Sequence, residues 1–423
     1  MPSKYDTPSS VEWPLPVTHV SNGMAKLPAA RRRPIRILEF RGAQGAGGGP
    51  EKTILFGAAR SDPERFAVTV CYIRDLRDPP HDIAARARKL GIDYCEVQQR
   101  RLFDLGIWRA TRRLLRQHRF DIVHAHDYKT NLLALYLARR EKVIALSTAH
   151  GWCGHALREK YIYYPLDKWL LARFPLVIAV SSQIREELIE HGARPGRVRT
   201  VLNGIDPRFF RRDKSREASV RARYGIRPEE FVIGTMARLE PVKRFDILLT
   251  VFARMRKRHP HLRLLVAGEG SARPALQTQA RQLGLEPERC FLGHCPDVVE
   301  IHHAFNLFVQ SSDYEGTPNV VLEAMAMETG IVATDAGGTG EVMRDGIHGL
   351  LIPPGNADAL EQAVERTLAN RDETLQRIAA ARKRVEHELS FETRMKAVES
   401  IYEALVLKFH APLMKGGKEE SWI

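Results

Sequence analysis

Apolar residues fall along this chain in short runs, separated by amphipathic stretches with helical spacing. The runs at 36–40, 66–73, 92–97, 120–126, 143–148 and 177–182 read as buried strands. The stretches at 52–59, 84–90, 105–118, 127–139 and 183–191 read as helices between and after them. This alternation predicts a parallel sheet with helices on both faces. A turn pair, Asn203-Gly204, then precedes a second series of the same kind. It has strands from 231, at 261–268, 290–294 and 307–309, with a helix over 245–257. Further helices start near 357 and at 391. The chain therefore reads as α/β, with two doubly wound parallel-sheet units over 34–205 and 206–390.

The stretch 308–327 carries the most chemistry. Its apolar strand is broken by Ser311, Ser312 and Asp313. Thr317-Pro318 is expected to start a helix, with the hydroxyl as N-cap and proline at the first helical position. Val320, Val321, Ala324 and Met325 recur at helical spacing. Glu315 then sits in the turn and Glu323 inside the helix, and both can face the crevice beyond the strand's carboxyl end. A helix N-terminus favours a diphosphate, and two carboxylates beside it can accept hydrogen bonds from hydroxyls attached to that anion. Spacing alone leaves a capped surface helix with two solvated glutamates equally open.

Charge adds a second theme. Residues 1–205 carry +14 and residues 206–423 carry 0, which together make the +14 of the whole chain. A basic half suggests a polyanionic partner, with nucleic acid one candidate and an anionic membrane surface another. The 105–118 helix sets Arg109, Arg112, Arg113 and Arg116 along one side near Trp108. Arg158, Lys160, Tyr161, Tyr164 and Trp169 form a second basic, aromatic group. A solvated surface with no partner is the competing reading of both. Five cysteines, odd in number and without a CxxC pair, fit a reducing compartment. No apolar run reaches the ~20 residues of a membrane span. Residues 1–33 read as a disordered tail. His124, His126 and His150 suggest a metal at first sight, but no third ligand type has metal spacing, and none is expected.

The words around Glu315 and Glu323 change the balance. Glu315-Gly-Thr-Pro-Asn-Val-Val-Leu-Glu323-Ala-Met-Ala resembles the E-x7-E motif of glycosyltransferase family 4, a group of retaining GT-B enzymes. The resemblance continues through Thr334–Gly338, Asp345–Leu351 and Ala237-Arg-Leu-Glu-Pro-Val-Lys243, and covers most of residues 34–405. It implies a GT-B fold, with 34–205 binding the acceptor, 206–390 binding a nucleotide sugar, and a helix over about 391–410 crossing back to the first domain. It further implies diphosphate binding by Arg238 and Lys243, and contact with donor phosphate or acceptor at Gly48 and Gly49. By the same resemblance His150 faces the sugar, His294 lies in the loop that holds the base, Glu315 orients the sugar and Glu323 holds the ribose. His126, Gly316, Thr317, Asn319 and Val320 complete the expected substrate contacts. The catalytic set is then His150, Glu315, Arg238 and Lys243.

No D-x-D motif stands at a strand end in the expected setting, and two fixed cations make Mg²⁺ dispensable. No cofactor or metal is therefore expected. The implied reaction is sugar transfer with retention to a lipid-linked or saccharide acceptor, in bacterial exopolysaccharide or cell-envelope glycan synthesis. The basic first half and its interfacial aromatics add the expectation of a peripheral place at the cytoplasmic face of the cell membrane, with an anionic membrane surface and no nucleic acid as partner. A GT-B nucleotide-sugar epimerase or phosphorylase, and a non-enzymatic basic scaffold binding membrane or nucleic acid, are the alternatives. The scaffold leaves the paired carboxylates and cations unexplained.

Overall fold

The computed structural model describes residues 33–42, 49–78, 82–101, 104–152 and 158–415. The tail expected over 1–33 lies outside these residues except for Arg33, and so does Gly48.

Seven strands form the first sheet: β1 (Ile35–Gly42), β2 (Phe66–Asp75), β3 (Asp93–Gln99), β4 (Ile122–Ala125), β5 (Ile144–Ala149), β6 (Leu176–Ala179) and β7 (Val198–Thr200). Six form the second: β8 (Phe231–Met236), β9 (Leu262–Ala267), β10 (Phe291–Gly293), β11 (Leu307–Gln310), β12 (Gly330–Thr334) and β13 (Leu350–Ile352). The orders are β3-β2-β1-β4-β5-β6-β7 and β10-β9-β8-β11-β12-β13. Every pairing is parallel. These are two Rossmann-like, doubly wound sheets. Each has a switch point, between β1 and β4 in the first and between β8 and β11 in the second, where the connections diverge and leave a crevice.

The strands are apolar on both faces because helices cover both. Leu38, Phe40, Val123 and Ala125 pack with Leu133, Leu137 and Ile184 on one side of the first sheet. On the other side Ile35, Ile37, Ile122 and Leu146 meet Val398, Tyr402 and Val406 of the Phe391–Lys415 helix. The C-terminal helix thus completes the core of the first sheet. The two crossings between the sheets run side by side, with Ile205 bonded to Leu389 and Phe391 through its backbone at 3.0 and 2.8 Å.

One local expectation fails. Thr317 does not cap the helix that follows it. That helix spans Asn319–Ala326, with Pro318 at the N-cap position and no side-chain capping bond. The Thr317 hydroxyl instead donates to the Val180 carbonyl of the first domain and accepts from the Asn203 amide at 3.3 Å. A hydroxyl beside a domain crossing has competing acceptors, and the tertiary one wins.

Candidate active site

The second sheet's switch point brings together the residues after β8 and β11. Glu315 lies in the β11–helix loop and is 9% exposed. Its Oε1 accepts from Lys243 Nζ at 2.7 Å, Ser312 Oγ at 2.7 Å and Gln310 Nε2 at 3.1 Å. Lys243 ends a single 3₁₀ turn, Pro241–Lys243, whose position is set by Ser311 Oγ donating to the Lys243 carbonyl at 2.8 Å. Arg244 follows in the left-handed region at φ 50°, an uncommon conformation for a side chain of its size. Its guanidinium bonds Asp246 and Asp313, which anchors the turn. Arg238, the other expected cation, is exposed, and no side-chain partner is found for it among the described residues. Lys243 and Glu315 are therefore brought together, while Arg238 stands apart from that pair's hydrogen bonds.

Glycines let the backbone close around this loop. Gly337 has φ +59°, and a Cβ there would lie 1.7 Å from the Glu315 carbonyl. A Cβ on Gly316 would lie 2.7 Å from the His150 carbonyl of the other domain. The Glu315 loop thus abuts the end of β5 directly.

Glu323 sits within its helix, 4% exposed. Lys52 Nζ approaches its Oε1 at 3.5 Å, and buried His302 Nε2 lies 4.0 Å from Oε2. Burial raises the Glu323 pKa above its ordinary value, and Lys52 opposes that shift. Lys52 belongs to the Gly49–Arg60 helix of the first domain, so this ion pair crosses between domains. Sequence reasoning missed Lys52. The only signal was its place just beyond the glycine-rich loop, in the first turns of a helix. Gly49 opens that helix, and Glu51 beside it is tied to Arg41 at 2.9 Å.

Asn319 accepts from Asn203 Nδ2 at 3.1 Å, and Val320 packs at the edge of the second core. His294 is exposed just after β10. At the first switch point His126 is buried and its Nε2 meets Glu39 Oε2 at 2.5 Å, while its Nδ1 meets His150 Nε2 at 3.1 Å. Glu39, on β1, is a second residue that sequence reasoning missed. Glu39, His124 and His126 lie close enough for a metal ion, with candidate ligand atoms within 4.8 Å of one another. Their ring nitrogens and carboxylate oxygens are already committed to hydrogen bonds with Tyr402, Thr148, His150 and each other. The donor set fits a proton-linked network.

Part of the basic face expected on the first domain is internally neutralised. Arg112 and Arg116 both pair with Glu141, at 2.5 and 2.7 Å. Arg109 and Arg113 remain exposed on the same helix. Nearby Trp108 stacks edge-on with exposed Tyr136, with centroids 5.2 Å apart. Tyr161, Ile162, Leu166 and Trp169 are exposed along the 159–171 segment, with Arg173 over the Trp169 ring at 3.5 Å. The Lys160 side chain lies outside the described residues. No helix among the described residues is long and apolar enough to cross a membrane.

Residues 47–209 match the model of Glycosyltransferase Family 4, and residues 217–384 that of Glycosyl transferases group 1. EpsD of Bacillus subtilis, a glycosyltransferase by name, is 32% identical over 274 residues, 62% of this chain and 71% of that protein. The chain belongs to the GT-B glycosyltransferases. A glycogen synthase of Mycobacterium tuberculosis is 29% identical to the transferase over 298 residues, 68% of this chain and 69% of that one. In three dimensions the transferase resembles Anabaena Alr3699/HepE solved with UDP-glucose. The TM-score is 0.78 at 22% identity, over 88% of this chain and all of that one. It likewise resembles a sucrose-phosphate synthase from Thermosynechococcus elongatus, with a TM-score of 0.74 at 19% identity over 88% of this chain. At these identities the likeness concerns the fold.

Proposed function

We propose that this glycosyltransferase moves a sugar from a nucleotide diphosphate sugar to a lipid-linked or saccharide acceptor, with retention at the anomeric carbon. The observation that carries the reading is the 2.7 Å contact between Lys243 and buried Glu315 at the second switch point. It joins a cation suited to a diphosphate to a carboxylate suited to sugar hydroxyls. The solved complex of Alr3699/HepE with UDP-glucose, a relative in fold, supports a donor of this class.

The donor lies with its diphosphate toward Arg238, Lys243 and the start of the Asn319–Ala326 helix, where fixed positive charge stabilises the leaving group. Glu323 holds the ribose, Glu315 orients the sugar, and His150 contacts the sugar from the opposing domain. No covalent intermediate is part of this reading: Glu315, whose Oε1 accepts from Lys243, Ser312 and Gln310, is assigned to orient the sugar. The acceptor oxygen attacks the anomeric carbon from the face the diphosphate leaves. The carbon–oxygen bond to the diphosphate breaks as the new one forms, and the acceptor's proton passes to the departing phosphate oxygen. No metal is required for this path.

The acceptor side works at an anionic bilayer on the cytoplasmic face. Arg109 and Arg113, with the exposed aromatic and aliphatic side chains of the 159–171 segment, supply cations and interfacial anchors. The biological role is bacterial exopolysaccharide or cell-envelope glycan synthesis. The test is product analysis with UDP-, GDP- and ADP-sugars and a lipid-linked oligosaccharide acceptor, with the anomeric configuration read by NMR. Hydrolysis or epimerisation without transfer to any acceptor would reject the transferase mechanism, and an inverted product would reject retention.

A further inference from the structure

A line of buried hydrogen bonds runs from the cleft to the C-terminal helix. Tyr402 Oη donates to Glu39 Oε1 at 2.8 Å. His126 Nε2 reaches Glu39 Oε2 at 2.5 Å, and His150 Nε2 reaches His126 Nδ1 at 3.1 Å. His124 closes the network, with Nδ1 2.8 Å from Tyr402 Oη and Nε2 2.7 Å from Thr148 Oγ1.

The carboxylate determines the direction of the bonds that lead through His126 to His150. Burial opposes ionisation of Glu39, yet the flanking His124 and His126 hold its carboxyl well below its ordinary value. Burial brings His126 down to about 4, and His150 is likewise held well below its ordinary value. Both rings are thus neutral near pH 7, each with one N–H and one lone pair. An ionised carboxylate only accepts, so His126 carries its proton on Nε2. Its Nδ1 is then a lone pair, and His150 must donate from Nε2. His150 is left with a lone pair on Nδ1, and no group among the described residues engages that nitrogen. The residue is half-buried, and its backbone abuts Gly316 next to Glu315.

We propose that Glu39 is a positioning residue that, through His126, holds His150 as a hydrogen-bond acceptor toward the cleft, selecting donor sugars that present a hydroxyl there over those that present a carboxylate. The proposal rests on the reading above that the donor sugar lies beside His150 and Glu315. A hydroxyl satisfies the Nδ1 lone pair by donating. A uronate carboxylate offers only lone pairs and is repelled.

Nuclear magnetic resonance of the imidazole nitrogens tests the relay in the full-length wild-type protein, without substrate. The expected spectrum has His126 and His150 both protonated on Nε2. In Glu39→Gln the amide keeps the shape and still accepts from Tyr402, but it donates to His126 Nε2. Both rings are then expected to move their protons to Nδ1. The same variant should lower the ratio of kcat/KM for UDP-glucose over UDP-glucuronate on the order of tenfold, the size of one hydrogen bond to a charged group. Tyr402→Phe removes a buried bond but keeps the carboxylate, so it should retain the wild-type tautomers and separate lost polarity from lost packing. A wild-type His150 protonated on Nδ1, or doubly protonated at neutral pH, overturns the relay. An unchanged donor ratio in a Glu39→Gln protein whose tautomers have switched overturns the selectivity. The wild-type spectrum decides the relay whether or not any transfer reaction is found.

Discussion

Lys52 and Glu323 face each other across the interdomain cleft, with Nζ 3.5 Å from Oε1. The carboxylate is nearly inaccessible, whereas the lysine side chain is 33% exposed. Such an arrangement ties Glu323, the residue proposed to hold the ribose, to the helix that follows the glycine-rich stretch of the other domain. A ribose that bonds Glu323 must share it with this ammonium or displace it.

Lys52→Met therefore has a pH signature. Burial raises the Glu323 pKa from the ordinary 4.5, and without Lys52 it should rise further. A carboxyl with a raised folded pKa contributes stability that is full below the unfolded value and lost as pH rises through the folded one. The variant should match wild type near pH 4 and fall behind above the raised value. A gap of about 1–2 kcal/mol is expected near pH 8, below the usual cost of breaking a buried pair because the lysine is partly solvated. Urea denaturation at both pH values measures it. An equal gap at both would assign the loss to packing.

Removing the charged side chains of the donor site should cost turnover more than stability. Lys243→Ala is expected to lower kcat/KM by roughly 100-fold or more, the scale of one lost group that stabilises transition-state charge, and Glu323→Ala by roughly 10- to 100-fold, the scale of one lost hydrogen bond to a charged group. Circular dichroism should show a retained fold. Glu315→Gln should lose rate as well, since an amide is a weaker acceptor for a sugar hydroxyl and places an NH₂ among donors. Near-normal kcat/KM in either alanine variant would remove the role given to that residue.

Activity should persist without added divalent metal. Arg238 and Lys243 supply fixed positive charge, and no D-x-D motif stands ready to hold an ion. Assay after exhaustive EDTA treatment tests this. Complete loss that Mg²⁺ or Mn²⁺ restores would overturn the metal-free path.

Binding to anionic vesicles is expected at low salt and should weaken sharply as salt screens the contact. Each lysine or arginine near such a surface contributes about 1 kcal/mol, so Arg109→Gln with Arg113→Gln should weaken binding roughly thirtyfold. Arg112→Gln should matter less, because that side chain is held against Glu141 rather than turned out to solvent as Arg109 and Arg113 are. Sedimentation with neutral and anionic vesicles reads both effects. No binding to anionic vesicles even at low salt would end the membrane proposal and leave the transferase reading intact.

Periodicity carried the order of β1–β6 and β8–β11, because strands buried on both faces read as continuous apolar runs and the helices between them keep a 3.6-residue stripe, but it did not mark the strands at Val198–Thr200, Gly330–Thr334 and Leu350–Ile352. Beside it, the local words around Glu315, Glu323, Arg238 and Lys243 made the family legible. Helices over Tyr164–Leu171, Lys214–Arg223 and Arg371–His387 did not stand out in the same way. The Lys214–Arg223 helix is almost entirely polar, with Val220 its one buried residue, so no apolar stripe marks it. What only tertiary structure decided are the pairings between distant residues. Glu39 meets His126 across 87 positions and Tyr402 across 363, and Lys52 reaches Glu323 from another domain. A buried glutamate in a strand and a lysine in a helix are ordinary in sequence. Their chemistry arises when parallel strands with long crossovers bring remote chain ends to one switch point, where burial makes each unpaired charge costly and so selects its partner. The same logic moved Thr317 from cap to domain crossing and tied Arg112 and Arg116 to Glu141.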